Sequence, residues 1–153
     1  MKKIYVLVAV LCCIYTSEAQ SYEYQVITSV ESIIPSGAGR SRLVSTNENR
    51  NYKDFTSVRT DGKTVKDKRN KSDRGNIRVK NFDETKLLNF YNIAGIRFQN
   101  IAANDAVITS KINTMSSDGW ELAFVTSAVE SDAGKDDGKG IFITRYIFKK
   151  LKK

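Results

Sequence analysis

The chain has 153 residues, a formal net charge of +8 and a mean hydropathy of −0.39, the profile of one basic globular domain rather than two. It has no histidine, and its only cysteines, Cys12 and Cys13, stand side by side near the N-terminus. Beyond those first residues the composition excludes Ser-His and Cys-His nucleophile pairs and the usual zinc, copper and haem ligand sets. Carboxylate chemistry, a Ser-Lys dyad or oxygen-ligated metals remain.

Lys2 and Lys3 precede an unbroken apolar stretch over residues 4–15, which turns polar at Thr16, Ser17 and Glu18. Such a run is short for a permanent membrane anchor and has the form of a secretory signal peptide. Small Ser17 and Ala19 place cleavage after Ala19, which predicts a signal over residues 1–19 and a single domain over 20–153 with no transmembrane anchor. Val10 and Leu11 are too bulky for a lipoprotein signal before Cys12. The domain is then free of thiols, exported to the periplasm or the medium, and held together by a core rather than disulfides.

Residues 21–30 alternate, with Tyr22, Tyr24, Val26 and Val30 on one side and Glu23, Gln25 and Glu31 mostly on the other, which predicts a half-buried first strand. Pro35, Ser36, Gly37 and Gly39 break the chain, and residues 42–45 predict a second, shorter strand. Around this break, backbone amides together with Arg40 and Arg42 offer a candidate site for a phosphate or carboxylate. The lysine-serine ending of a phosphate loop is missing, and a plain turn is the simpler reading.

Residues 52–59 have strand-like alternation and lead into Asp61-Gly62, a hairpin signal. Nine basic residues (Arg59, Lys63, Lys66, Lys68, Arg69, Lys71, Arg74, Arg78 and Lys80) then face only Asp61, Asp67 and Asp73. Between 66 and 76 no large apolar side chain occurs, which predicts a mobile basic loop around residues 60–76. Lys66, Lys68, Arg69 and Lys71 are its candidate anion-binding residues, although charge runs commonly just stay solvated. No aromatic residue interleaves the run, so no specific nucleic-acid partner is expected. Anionic polysaccharide and lipid headgroups remain as partners.

Order returns over residues 77–82, and Asp83 caps a short predicted helix carrying Leu87, Leu88 and Tyr91 and ended by Gly95, with a strand as the alternative. The main helix is predicted over residues 104–118, with Asn104 as N-cap, Ile108, Ile112 and Met115 on one face, and Gly119 as a left-handed C-cap. Residues 120–129 and 141–149 are rich in aromatic and β-branched side chains, and the connection between them leaves no room for a crossover helix, so they pair antiparallel. The fold class is α+β: a small antiparallel sheet with one main helix on one face.

Two sets of acidic residues test for chemistry. Glu23, Glu31, Glu121 and Glu130 lie on or at the ends of strands, where a pair facing a groove would suit acid and base roles, and solvent-facing glutamates are the simpler account. Asp132, Asp136 and Asp137 are hard oxygen ligands, but Gly134, Asp137 and Ile143 stand where a calcium loop requires a ligand, a glycine and a bidentate glutamate. No metal and no cofactor is predicted.

Tyr22-Glu23-Tyr24-Gln25-Val26, the run Asp118-Gly119-Trp120-Glu121-Leu122 and the closing Arg145-Tyr146-Ile147-Phe148-Lys149 together resemble the small bacterial domain-of-unknown-function family 4177. The likeness covers the first strand and residues 104–150, with residues 31–100 as a long insertion. It implies a strand, a helix and a hairpin, and it implies no activity. In the Gly-Trp-Glu-Leu run, Gly119 is expected to end the helix, Trp120 to seal it against the sheet and Leu122 to enter the core. The expected function is an exported, non-catalytic binding domain for a protein or an anionic envelope component. The alternatives are a small hydrolase using carboxylates or an oxygen-ligated metal, and a structural subunit pairing through a sheet edge.

Overall fold

The computed structural model describes residues 20–34, 40–58, 72–130 and 140–152. Seven strands occur in it: β1 (Tyr22–Ser32), β2 (Arg42–Ser45), β3 (Asp83–Lys86), β4 (Tyr91–Asn92), β5 (Gly95–Ile96), β6 (Glu121–Glu130) and β7 (Ile141–Leu151). A 3₁₀ turn (Tyr52–Phe55), a single helical turn α1 (Arg74–Ile77) and a long helix α2 (Phe98–Ser117) complete the set. Five strands form one antiparallel sheet in the order β3-β2-β1-β7-β6, and β4 and β5 make a separate small hairpin. The protein is an α+β fold with one main helix, as its sequence predicts.

β1 and β7 form the spine of the sheet, paired along their whole length from Tyr22 opposite Leu151 to Ser32 opposite Ile141. Paired residues share a face, so the register fixes what each face carries. Ile27 of β1, Leu43 of β2 and Phe148 of β7 are buried with Leu87 and with Ile108 and Met115 of α2. Val107, Ile112, Trp120 and Tyr146 pack around this cluster. The helix therefore lies over β2, β1 and β7.

The alternation in β1 is present, but the covered face is the opposite of the one the sequence suggests. Ile27, Ser29 and Glu31 are buried, whereas Tyr24 is 64% and Val26 44% exposed. Counting apolar residues in one strand favours the even positions; the partners Tyr146 and Phe148, which stand opposite Ile27 and Gln25, bring the helix to the odd ones.

Three further local expectations change. Residues 52–55 form the 3₁₀ turn rather than a strand, because the Asn51 side chain accepts the Lys53 N–H and caps it. Asp83 begins β3, the strand alternative, paired with β2 from Ser45–Asp83 to Arg42–Lys86. The main helix starts six residues before Asn104, at Phe98, after the β4–β5 hairpin is closed by the Arg97 N–H donating to the Phe90 carbonyl at 2.7 Å. Its C-terminus agrees with the sequence: Gly119 has φ +84°, and the Gly119 and Trp120 N–H groups return to the Ser116 and Met115 carbonyls at 3.0 Å.

Candidate functional site

Of the predicted anion-binding residues, Lys66, Lys68, Arg69 and Lys71 lie outside the described residues. The described part of the predicted loop, residues 72–76, is exposed and enters α1, and Ser72 Oγ donates to the Asp54 carbonyl at 2.7 Å. Arg40 is exposed. Arg42 is held inside the sheet system, since its guanidinium pairs with Glu84 of β3 and donates to the Ser41 carbonyl at 2.8 Å. The segment 36–39, the rest of that predicted site, lies outside the described residues.

The flanks of the basic run are tied to the body. Glu48 accepts the Asn81 N–H at 2.8 Å and pairs with Arg50, and Arg50 also donates to the Arg78 carbonyl at 3.0 Å. The Asn81 N–H, followed by the Arg50 guanidinium, holds the Glu48 carboxyl below its ordinary pKa. Thr46 Oγ1 donates to the Asn81 carbonyl at 2.9 Å, closing the same junction.

Under the helix lies a polar cluster that the sequence did not announce. Asn104 is 1% exposed and makes three hydrogen bonds: Oδ1 accepts the Leu88 N–H at 2.7 Å, while Nδ2 donates to the Leu88 carbonyl and to Glu31 Oε1, both at 2.8 Å. Glu31 is itself buried at 7% exposure. Burial raises its pKa, the Asn104 donor partly offsets this, and the nearby Asp105 carboxylate raises it again. Tyr146 shares the pocket of charge: burial raises its pKa, and Glu31 and Asp105 push the same way. Ser29 Oγ lies close enough to Tyr146 to favour the phenolate slightly, yet makes no hydrogen bond of good geometry, and Ser32 Oγ also has no partner. Ser41 Oγ accepts the Ser32 N–H and donates to Asn89 Oδ1, both at 2.9 Å, binding the same loop to β1.

This cluster is closed in on itself. The larger grooves lie elsewhere: one of about 640 Å³ along the outer side of α2 between Ala106 and Asp118, and one of about 560 Å³ bounded by Gln25, Asn47, Trp120 and Lys152. Glu31 lines neither. Glu23, Glu121 and Glu130 are exposed, and Glu121 pairs with Lys149 at 3.1 Å, an interaction that raises the lysine pKa. Among the described residues no three acidic, histidine or cysteine side chains gather to hold a metal ion, and no helix is long and apolar enough to cross a membrane.

The Gly-Trp-Glu-Leu run does only part of what was expected of it. Trp120 packs against the core with the Lys150 ammonium 5.6 Å from its ring centre, but Leu122 is 38% exposed and does not enter the core. Leu122 does point to the helix side, opposite Phe148. Every residue of β6 is exposed, and a bulge between Leu122 and Phe124 shifts the register at that point.

The second face of the sheet, away from α2, is open among the described residues at Tyr24, Val26 and Phe124. It carries Tyr24, Val26 and Val30 of β1, Ile143 and Ile147 of β7, and Phe124 of β6, which is 62% exposed. Arg145 stands in the middle of these, exposed between Thr28 and Thr126, and forms no ion pair among the described residues. At one end, Lys149 lies 5.3 Å from the Tyr22 ring centre and bridges to Glu121. An apolar patch around one unpaired guanidinium, bordered by tyrosines, has the composition of a contact surface.

No family model, no characterised protein and no solved structure matches the chain, so the likeness in residues 22–26, 118–122 and 145–149 rests on those residues alone.

Proposed function

We propose that this is an exported, non-catalytic binding domain that engages an anionic surface of the cell envelope through the uncovered face of its sheet. The observation that carries the reading is Arg145, an exposed cation set among Val26, Phe124, Ile143 and Ile147. A partner that suits it has a negative group to meet the guanidinium and apolar matter around that group to cover the strands. Anionic lipid headgroups at a bilayer surface have both; an acidic polysaccharide has only the first. Signal-like residues 1–19 put such a surface within reach, and the basic run flanking α1 adds long-range attraction.

Binding to vesicles of pure phosphatidylcholine, and to vesicles with added phosphatidylglycerol, is the direct test, run beside a soluble acidic polysaccharide across a salt series. The expected result is binding that requires phosphatidylglycerol, weakens with salt and is lost in Arg145→Gln and Phe124→Ser while both variants stay folded. Equal binding to neutral vesicles, or wild-type affinity in both variants, would overturn the reading. Binding to the polysaccharide alone would move the ligand to a carbohydrate and the site to the basic run.

A further inference from the structure

The two edges of the five-stranded sheet are built differently. β3 is four residues long and reads Asp-Glu-Thr-Lys, a short and charged edge of the kind that discourages further pairing. β6 is ten residues long and every one of them is exposed. Between its terminal glutamates it reads Leu-Ala-Phe-Val-Thr-Ser-Ala-Val, with no charge and no proline. Its inner side pairs with β7, and among the described residues no strand pairs with its outer side. The single bulge lies near one end, which leaves residues 124–130 as a regular run of unpaired backbone donors and acceptors.

We infer that β6 pairs antiparallel with β6 of a second copy of this chain, giving one continuous sheet across a two-fold dimer. The ends of the strand favour a second copy as the occupant. Beside the start of β6, Lys149 is matched by Glu121 while Lys150 and Lys152 add further positive charge, and Glu130 closes the other end. Antiparallel self-pairing brings each acidic end toward the other copy's basic end. The charges also select the register. A two-fold between Val125 and Thr126 would set Glu121 against Glu130. Centring it on Ser127 avoids this and places Val125 opposite Val129 twice, with Thr126 opposite Ala128. Exposed β-branched residues then become a cross-strand pair on the helix side. Because paired positions share a face, both helices fall on one side of the dimer and both uncovered faces, each with its Arg145, on the other. The inference stands on the edge strand and does not depend on which ligand that face binds.

Sedimentation velocity and light scattering of the purified protein from low to high micromolar concentration read the assembly directly. The expected mass is that of a dimer, halved in a Val125→Lys/Ser127→Lys variant whose circular dichroism is unchanged, and unaffected by Thr85→Lys on the guarded edge. Cross-linking supplies a second measurement that survives misfolding of the lysine variant. In a chain with Cys12→Ser and Cys13→Ser, Ser127→Cys is expected to form an intermolecular disulfide on mild oxidation, whereas Thr85→Cys is not. A monomer at all concentrations with no Ser127→Cys cross-link would overturn the inference, as would a dimer indifferent to both β6 substitutions. Loss of vesicle binding with the dimer intact would count against the proposed ligand and leave the dimer standing.

Discussion

Asn104 occupies a core-facing position of α2, in line with Ile101 and Ile108, where an aliphatic residue would bury more apolar surface. Its three hydrogen bonds explain the amide: one side chain ties the backbone of Leu88 and the carboxyl of Glu31 to the helix. Asn104→Ala leaves buried donors and acceptors without partners, and should destabilise the fold by about 3 kcal/mol, read as a fall in the denaturant midpoint. Glu31 makes the opposite prediction. Its folded pKa lies above its ordinary value of 4.5, so the unfolded chain releases this proton more readily. The stabilising contribution is full below pH 4.5 and is lost as pH rises through the folded pKa. Glu31→Gln keeps an acceptor for Asn104 and should raise the midpoint at neutral pH while removing that loss. Glu48 has the reverse sign: its lowered pKa contributes stability above pH 4.5 that disappears as pH falls, so Glu48→Gln should lower stability at neutral pH and flatten the acid limb. Parallel denaturation of both variants across pH 3 to 8 checks the pair, about the range over which carboxylates titrate in proteins.

The C-terminal half of the fold could be read from the chain because its elements are specified locally. Gly119 takes the positive φ that ends α2, and the alternation in β7 survives as a buried Thr144 and Phe148 on the helix side with an exposed Arg145 on the other. A Cβ at Gly119 would meet Lys150 Cε at an ordinary 3.5 Å, so Gly119→Ala should cost only the backbone strain, about 1 kcal/mol by thermal or urea unfolding. What could not be read was set by distant partners. The start of α2 depends on the turn from Phe90 to Arg97, and the buried identity of Asn104 and Glu31 on contacts 73 residues apart in sequence. The inward role given to Leu122 failed because no periodicity reports where a helix stops covering a sheet. That difference is measurable: Phe148→Ala, at 1% exposure, should cost about 4 kcal/mol, and Leu122→Ala well under half as much.

At the scale of the whole molecule, the one long helix among the described residues does not cover all five strands, and both proposed contacts use the area it leaves open. Among the described residues α2 packs on β2, β1 and β7, every residue of β6 is exposed, and the opposite face is open at Tyr24, Val26 and Phe124. If β6 closes a dimer, the two uncovered faces lie side by side with an Arg145 in each, and a bilayer offers both sites the same plane of headgroups. The second contact is then intramolecular, and its effective concentration multiplies the affinity without any new interaction. Val125→Lys/Ser127→Lys adds positive charge and should, by electrostatics alone, strengthen attraction to phosphatidylglycerol vesicles. If the dimer is the binding unit, the variant should instead bind on the order of a hundredfold more weakly than wild type. Cross-linked Ser127→Cys dimers should hold wild-type affinity at dilutions where the native dimer dissociates. Stronger binding by the lysine variant would show that each sheet meets the membrane alone, whatever the state of β6.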